Sequence, residues 1–428
     1  MSLMTVGPTP SFNSSVLPIE IIHLIISHYV EMVPRAASDP INCAEKPLLL
    51  LNSYVHLLNL RLVSKSWASD VLPFAYKSVY LLSPNMTAGF LKLWKSPVSI
   101  SFTHPLCRIC FNCLLFVSDR VRDQVFGGSL GDDHGGTDAV VNMLDALAIP
   151  MNVVADIISA CGHNLDSLKL KFANSVGFSP ALSSAIKDIK CLKVLIIHGS
   201  REVGVSNHSN SIKAVLKSTP YLESLSISCS SLKPLDLEPR ALPNLTHLWL
   251  QCQSSNLDTF GVLCHCVKHS VKLLECIPTQ DQDLAGPIIL LFCKGLEGLF
   301  MGSIPYRLPH SVAHTHFPQL RLIHCMSFDA QSTSVAWLKL PIFSELEVLV
   351  TSYWHTRKYW VFSLEHLEYV PVNFPRNFRT IIFMTCDGSS VDNPGLVAAC
   401  ALYGIHCVFT NELSHTELLS IASKQNSP

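Results

Sequence analysis

The chain has 428 residues, 48% of them hydrophobic and 15% charged, with 31 Lys+Arg against 32 Asp+Glu. A net charge of −1 provides no long-range field to draw in nucleic acid or an anionic membrane, and a charge content well below the roughly 25% of a typical globular protein predicts extensive burial. The opening MSLMTVGPTPSFNSS has neither a basic n-region nor an apolar h-region, so no secretory signal is expected, and apolar runs such as Ile288 to Cys293 fall far short of the ~20 residues of a membrane helix.

Residues 1–15 read as a disordered tail. In VLPIEIIHLIISHYV (16–30), Ile21, Ile22, Ile25, Ile26 and Tyr29 recur at helical spacing; Pro18 suits a first turn and Glu20 the positive end of the helix dipole. A second helix is predicted through His56–Ala68, with Leu57, Leu58, Leu62, Val63 and Trp67 as its apolar set and Pro73 ending it or lying just beyond. The intervening VEMVPRAASDPINCAEKPLLLLNSYV is broken by Pro34, Pro40 and Pro47 and reads as an insertion centred on 31–50.

The order LPIEIIHLI, LLNLRLVSKSW, LPFAYKSVYL resembles an F-box over residues 16–80, including the tail formed by Pro73, Tyr76 and Val79. The resemblance implies a small helical module that docks on the Skp-type adaptor of a cullin–RING ubiquitin ligase. Carried over residue by residue, Leu17, Pro18, Ile21 and Ile25 would face the adaptor. Leu60, Leu62, Val63 and Trp67 would either face it or pack the module. The insertion departs from the family pattern and bears directly on whether docking is open.

Beyond residue 80 a six-residue pattern, apolar-x-x-apolar-x-apolar, recurs every 23 to 32 residues. It stands at Leu165/Leu168/Leu170, Leu192/Leu195/Ile197, Leu222/Leu225/Ile227, Leu245/Leu248/Leu250, Val271/Leu274/Cys276, Leu296/Leu299/Met301, Leu320/Ile323/Cys325 and Phe378/Ile381/Phe383. Leu346/Leu349 fills two slots with Thr351 in the third, and Leu106/Ile109/Phe111 fits upstream. Helical stripes lie between the patterns: Val154, Ile157, Ile158 and Cys161; Ile212, Val215 and Leu216; Leu257, Phe260, Leu263 and Val267. Each strand-plus-helix unit cannot bury its apolar face alone, and stacking supplies a common core. The array resembles a leucine-rich repeat, without the Asn or Cys that usually follows the third apolar position at a fixed offset. Pro287 is expected to interrupt one helix, and GGSLGDDHGGT (127–137) is a loop. Asp392, Asn393 and Pro394 start a helix closed by Gly404, Ile405–Phe409 is a last strand, and 411–428 is a final helix with a frayed end. The expected fold is therefore α/β: an F-box-like helical module, then an irregular leucine-rich-repeat-like solenoid over 81–410 with a parallel inner sheet.

Candidate chemistry is sparse. Cys107, Cys110 and Cys113 lack a second pair and sit in a strand-like run that turns neighbours to opposite faces. Cys264, His265, Cys266 and His269 suit a core helix with exposed histidines, and Gly127-Gly128-Ser129-Leu130-Gly131 lacks the strand and helix a nucleophile elbow needs. The 16 cysteines are expected to be free thiols of a cytoplasmic or nuclear protein. SYWHTRKYWVF (352–362) is expected to be a loop between repeats. No catalytic residue, cofactor or metal is expected, and neither a nucleic-acid nor a membrane partner.

The residues between the last two apolar slots, Lys169, Ile196, Ser226, Trp249, Glu275, Phe300, His324, Val350 and Ile382, share one sheet face. Trp249, Phe300, Ile196 and His324 are expected to be exposed there as anchors for a protein substrate. With the resemblance, the expected function is substrate recognition for a ubiquitin ligase, the partners being adaptor, cullin complex and substrate. The alternative is a non-catalytic interaction scaffold with no ligase role.

Overall fold

A computed structural model describes residues 17–33, 42–95, 106–115, 148–199, 207–278, 282–305, 307–328, 335–367, 374–385, 391, 393–411 and 413–423. The expected tail 1–15, the loop 127–137 with Ser129, and part of the insertion lie outside them.

The chain opens with three helices. α1 (Ile19–Met32) starts just after Pro18, whose missing N–H costs nothing at a helix entrance. α2 (Leu51–Asn59) runs into a 3-10 turn (Leu60–Leu62), and α3 (Lys65–Tyr76) follows. The single helix expected over 56–68 is therefore two. The break falls at Ser64, which leaves helical geometry to cap α3, its Oγ accepting the Trp67 N–H at 3.2 Å. Pro73 lies inside α3 rather than ending it. Ile22, Ile26, Leu57, Val71 and Ala75 form the buried centre of this bundle, with Tyr54, Leu60, Trp67 and Phe74 packed around it.

α3 passes directly into a twelve-stranded sheet whose strands are hydrogen-bonded in chain order. They are β1 (Ser78–Leu81), β2 (Arg108–Leu114), β3 (Ser167–Phe172), β4 (Val194–His198), β5 (Ser224–Ser228) and β6 (His247–Cys252), then β7 (Leu273–Pro278), β8 (Gly298–Ile304), β9 (Leu322–Phe328), β10 (Val348–Ser352), β11 (Thr380–Met384) and β12 (His406–Thr410). Every pairing is parallel. The middle slots of the sequence pattern, Leu168, Leu195, Leu225, Leu248, Leu274, Leu299, Ile323, Leu349 and Ile381, pair in one continuous row. β1 belongs to the sheet too, so the sheet begins before the expected boundary at 81.

Helices lie in nine of the eleven connections: α4 (Pro84–Trp94), α5 (Met151–Cys161), α6 (Pro180–Lys187), α7 (Ser209–Ser218), α8 (Leu257–Val267), α9 (Gly286–Leu291), α10 (His310–Ala313), α11 (Tyr353–His366) and α12 (Pro394–Leu402); among the described residues β5–β6 has none and β9–β10 only 3-10 turns. Their buried stripes join the strand rows in one continuous core. Pro287 begins α9 instead of interrupting it, as its fixed φ allows in a first turn. Residues 353–362, expected to be a loop, lie in α11, because Tyr353, Thr356, Trp360 and Leu364 place one buried face at helical spacing. The helix expected to start at Asp392, Asn393 and Pro394 is present; Asn393 caps it, its Oδ1 accepting the Leu396 N–H at 3.1 Å, and Gly404 takes φ +69° after the helix.

Two buried asparagines tie successive connections together despite unequal offsets from their strands. Asn207 Oδ1 accepts the Val176 N–H at 2.7 Å, and Asn256 Nδ2 donates to the carbonyls of Cys229 (2.9 Å) and Gln251 (3.1 Å). Each satisfies backbone groups that a tight turn strips from water. The last helix, α13 (His415–Ser423), lies on the opposite face of the sheet from the other connections: Leu418 and Ala422 join Leu273, Phe300, Leu322, Val348, Val350 and Ile382 in a second apolar cluster.

Candidate interaction surfaces and a buried polar cluster

Two faces of α1 carry aliphatic side chains. Ile22 and Ile26 point into the bundle, while Leu17 is 47% exposed, Ile21 41% and Ile25 42%, with Pro18 also exposed. Leu62 and Val63, at the break before α3, stand in solvent at 85% and 63%. Leu60 and Trp67 pack against the bundle core. The structure thus separates the eight sequence-chosen residues into six exposed and two that hold the module together. Most of the exposed large hydrophobic side chains among the described residues fall between Leu17 and Val63. Clustered exposure of that kind is what an interaction site leaves uncovered.

The four residues expected to be exposed on the sheet face are not. Ile196, Trp249, Phe300 and His324 are all at most 3% exposed. The correction has a direct cause: two remote segments lie on that face. α13 covers the β7–β11 side through Leu418 and Ala422. The end of the insertion covers the β3–β7 side: Asn42 Nδ2 donates to Ser226 Oγ at 3.1 Å, the Cys43 N–H donates to Glu275 Oε1 at 2.9 Å, and Glu45 pairs with Lys169. Parallel sheets are normally buried on both faces, and here the chain supplies its own second cover. The ring of Trp249 stacks on His198 and that of Phe300 meets His324, so both aromatics are spent on internal packing.

Beneath this cover lies a polar cluster built from neighbouring strands. Ser224 on β5, His247 on β6 and Glu275 on β7 each have no exposed surface. Ser224 Oγ lies 2.6 Å from His247 Nδ1, and His247 Nε2 lies 3.0 Å from Glu275 Oε1. Cys43 Sγ approaches the same Nε2 at 3.6 Å. His415, at the start of α13, stacks its ring on His247 with centroids 5.4 Å apart and donates its backbone N–H to the Cys43 carbonyl at 3.2 Å. Burial pushes His247 down to about 3 and raises the Cys43 thiol well above its usual value, the Glu275 carboxylate adding to the rise. In this arrangement the imidazole is neutral and the thiol protonated at pH 7. A serine, a histidine and a carboxylate in line match the residue types of a hydrolytic triad, but a nucleophile with no exposed surface has no route to a substrate.

Sequence reading misses this cluster, Glu275 apart, because its members sit from 23 residues apart (Ser224 and His247) to opposite ends of the chain (Cys43 and His415). Cys107, Cys110 and Cys113 do not come together: Cys110 is buried in β2, and Cys113 sits at the bulge with φ 59°. The described cysteines are free thiols. Arg357 packs over the rings of Tyr353 and Trp354 within α11. Among the described residues no helix is long and apolar enough to cross a membrane.

What these features define is a mixed α/β protein with a helical N-terminal bundle and a twelve-stranded, all-parallel sheet. No family model matches the chain, and no curated protein is significantly similar to it.

Proposed function

We propose that the chain is the substrate-recognition subunit of a cullin–RING ubiquitin ligase, with an F-box-like bundle docking a Skp-type adaptor and a leucine-rich-repeat-like solenoid holding a protein substrate. The observation that carries the reading is the uncovered aliphatic surface of the bundle: Leu17, Ile21, Ile25, Leu62 and Val63 remain in solvent, within the stretch from Leu17 to Val63 that holds most of the exposed large hydrophobic side chains among the described residues. The F-box resemblance assigns Leu17, Ile21 and Ile25 to the adaptor and leaves Leu62 and Val63 either facing it or packing the module; their exposure favours the former. The solenoid part rests on twelve parallel strands in chain order with one stacked aliphatic row. Mechanism is then proximity: the bundle fixes one end to the ligase, and the repeats raise the effective concentration of substrate near the ubiquitin-loaded enzyme. Because residues 42–45 and α13 occupy the face of Trp249 and Phe300, the substrate meets another surface of the solenoid.

The test is direct calorimetric titration of the purified full chain with a Skp-type adaptor, beside an Ile21→Asp/Ile25→Asp variant with unchanged thermal unfolding. Binding by the parent and its loss in the variant supports the proposal. A folded parent that does not bind overturns it and favours a scaffold without a ligase role.

A further inference from the structure

The buried cluster under the insertion has no part in adaptor docking, yet it gathers residue types that rarely meet by packing alone. Cys43 comes from the end of the insertion and His247 and Glu275 from the paired strands β6 and β7, and their ligand atoms all lie within 4.8 Å of one another. Among the described residues no other group of three such side chains does so. We propose that Cys43, His247 and Glu275, with His415 as the fourth ligand, form a structural zinc site that fastens the insertion and the C-terminal helix to the sheet.

Four observations support it. First, the spacing fits. A tetrahedral ion with ~2.3 Å to sulfur and ~2.05 Å to nitrogen and oxygen separates S from N by about 3.6 Å and N from O by about 3.3 Å. The observed separations are 3.6 Å for Cys43 Sγ to His247 Nε2 and 3.0 Å for His247 Nε2 to Glu275 Oε1. Small side-chain shifts close the shell.

Second, His415 is only 6% exposed, and neither of its ring nitrogens has a hydrogen-bond partner. A buried imidazole left so carries an uncompensated desolvation cost. It already stacks on His247, and its backbone is tied to Cys43. Its ring nitrogens lie outside the trio that gathers within 4.8 Å, so ligation requires its side chain to rotate on metal binding.

Third, the outer partner of His247 is in place. Ser224 Oγ lies 2.6 Å from His247 Nδ1; in the tautomer with the proton on Nδ1 the hydroxyl accepts it and the lone pair of Nε2 faces the cluster. Metal-bound histidines are commonly oriented by such a hydrogen bond on the second nitrogen.

Fourth, the charges balance. A thiolate and a carboxylate neutralise a divalent ion, so the occupied site buries no net charge. Mixed sulfur, nitrogen and oxygen donors in four-coordinate geometry select zinc over magnesium or calcium. With four protein ligands and no open position the site is structural, not catalytic.

The experiment uses the full-length protein. Expected are about one equivalent of zinc per chain by elemental analysis after exhaustive dialysis and, on exchange with Co2+, the near-ultraviolet thiolate-to-cobalt band with visible bands of tetrahedral intensity. Cys43→Ser abolishes the ultraviolet band, and His415→Ala weakens Co2+ binding at least tenfold. A folded parent that takes up neither zinc nor Co2+ at micromolar concentration overturns the proposal. So does an unchanged Co2+ spectrum in a Cys43→Ser/Glu275→Gln variant, which would place the ion elsewhere. Binding by His415→Ala as tight as by the parent overturns the four-ligand site.

Discussion

The ring of His324 on β9 meets the ring of Phe300 on β8 edge-on, with centroids 4.5 Å apart and planes at 86°. The contact sits at the sheet face beneath α13, and His324 Nε2 has no hydrogen-bond partner there. Burial holds the imidazole down to about 4, against 6.5 in a solvated chain. The folded-state pKa is the lower one, so on acidification the unfolded chain takes up the proton first. Stability is intact above pH 6.5 and falls as the pH drops toward 4, by about 2–3 kcal/mol between pH 7.5 and 4.5 from this group alone. His324→Leu is expected to flatten the acid limb by that amount in urea unfolding. An equal acid loss in the variant would show that His324 is solvated in the folded state.

The insertion is anchored by charge as well. Glu45 pairs with Lys169, and both side chains are about nine-tenths buried, at 10% and 9% exposure. Burial lowers the lysine pKa, and the Glu45 carboxylate opposes that shift. Glu45→Ala strands an ammonium against the sheet and is expected to cost about 3–5 kcal/mol, whereas the joint change Glu45→Leu/Lys169→Met recovers most of it. Chemical denaturation of both variants decides; a loss below ~1 kcal/mol for Glu45→Ala would mean that this end of the insertion leaves the sheet readily.

Leu418 is 1% exposed and is the most deeply buried side chain that α13 places on the second face of the sheet. Leu418→Ala is expected to destabilise the protein by about 2–5 kcal/mol, as large-to-small core changes do. Leu418→Asp is expected to release the helix, expose Phe300 and make the region after Thr410 the first site of proteolysis. Unchanged protease resistance would argue that α13 contributes little to closing the face.

The proposed adaptor docking and the stability of the bundle are predicted to separate by residue. Ile21→Asp and Ile25→Asp alter exposed side chains and are expected to weaken adaptor binding at least tenfold each, from the loss of ~1.5–3 kcal/mol of aliphatic burial at the interface. Leu60→Ala and Trp67→Ala, which pack against the bundle centre, are expected to lower the unfolding midpoint instead. Titration and thermal unfolding of the same four variants test the division; a destabilised Ile25→Asp would place that residue in the core.

Much of the sheet was legible because its signal is local and repeated. The middle slot from Leu168 to Ile381 marks one row, and the helical stripes at Val154–Cys161 and Ile212–Leu216 face the same core. The misreadings were local competitions. Ser64 caps a new helix inside an otherwise continuous apolar pattern, and the aromatic run at 353–362 hides a helical face because its polar residues alternate irregularly.

By itself, then, the sequence determined the alternation of strand and helix, the register of the strands and the aliphatic helices of the N-terminal bundle. Tertiary structure decided what happens on the second face of the sheet. Residues 42–45 reach Ser226, His247 and Glu275 across 184 to 232 positions of sequence. Periodicity reports which side of an element is apolar, because that follows from backbone geometry. It is silent on which distant segment covers the side, because that depends on closing long loops, whose entropy changes little with length and leaves no pattern in the residues between.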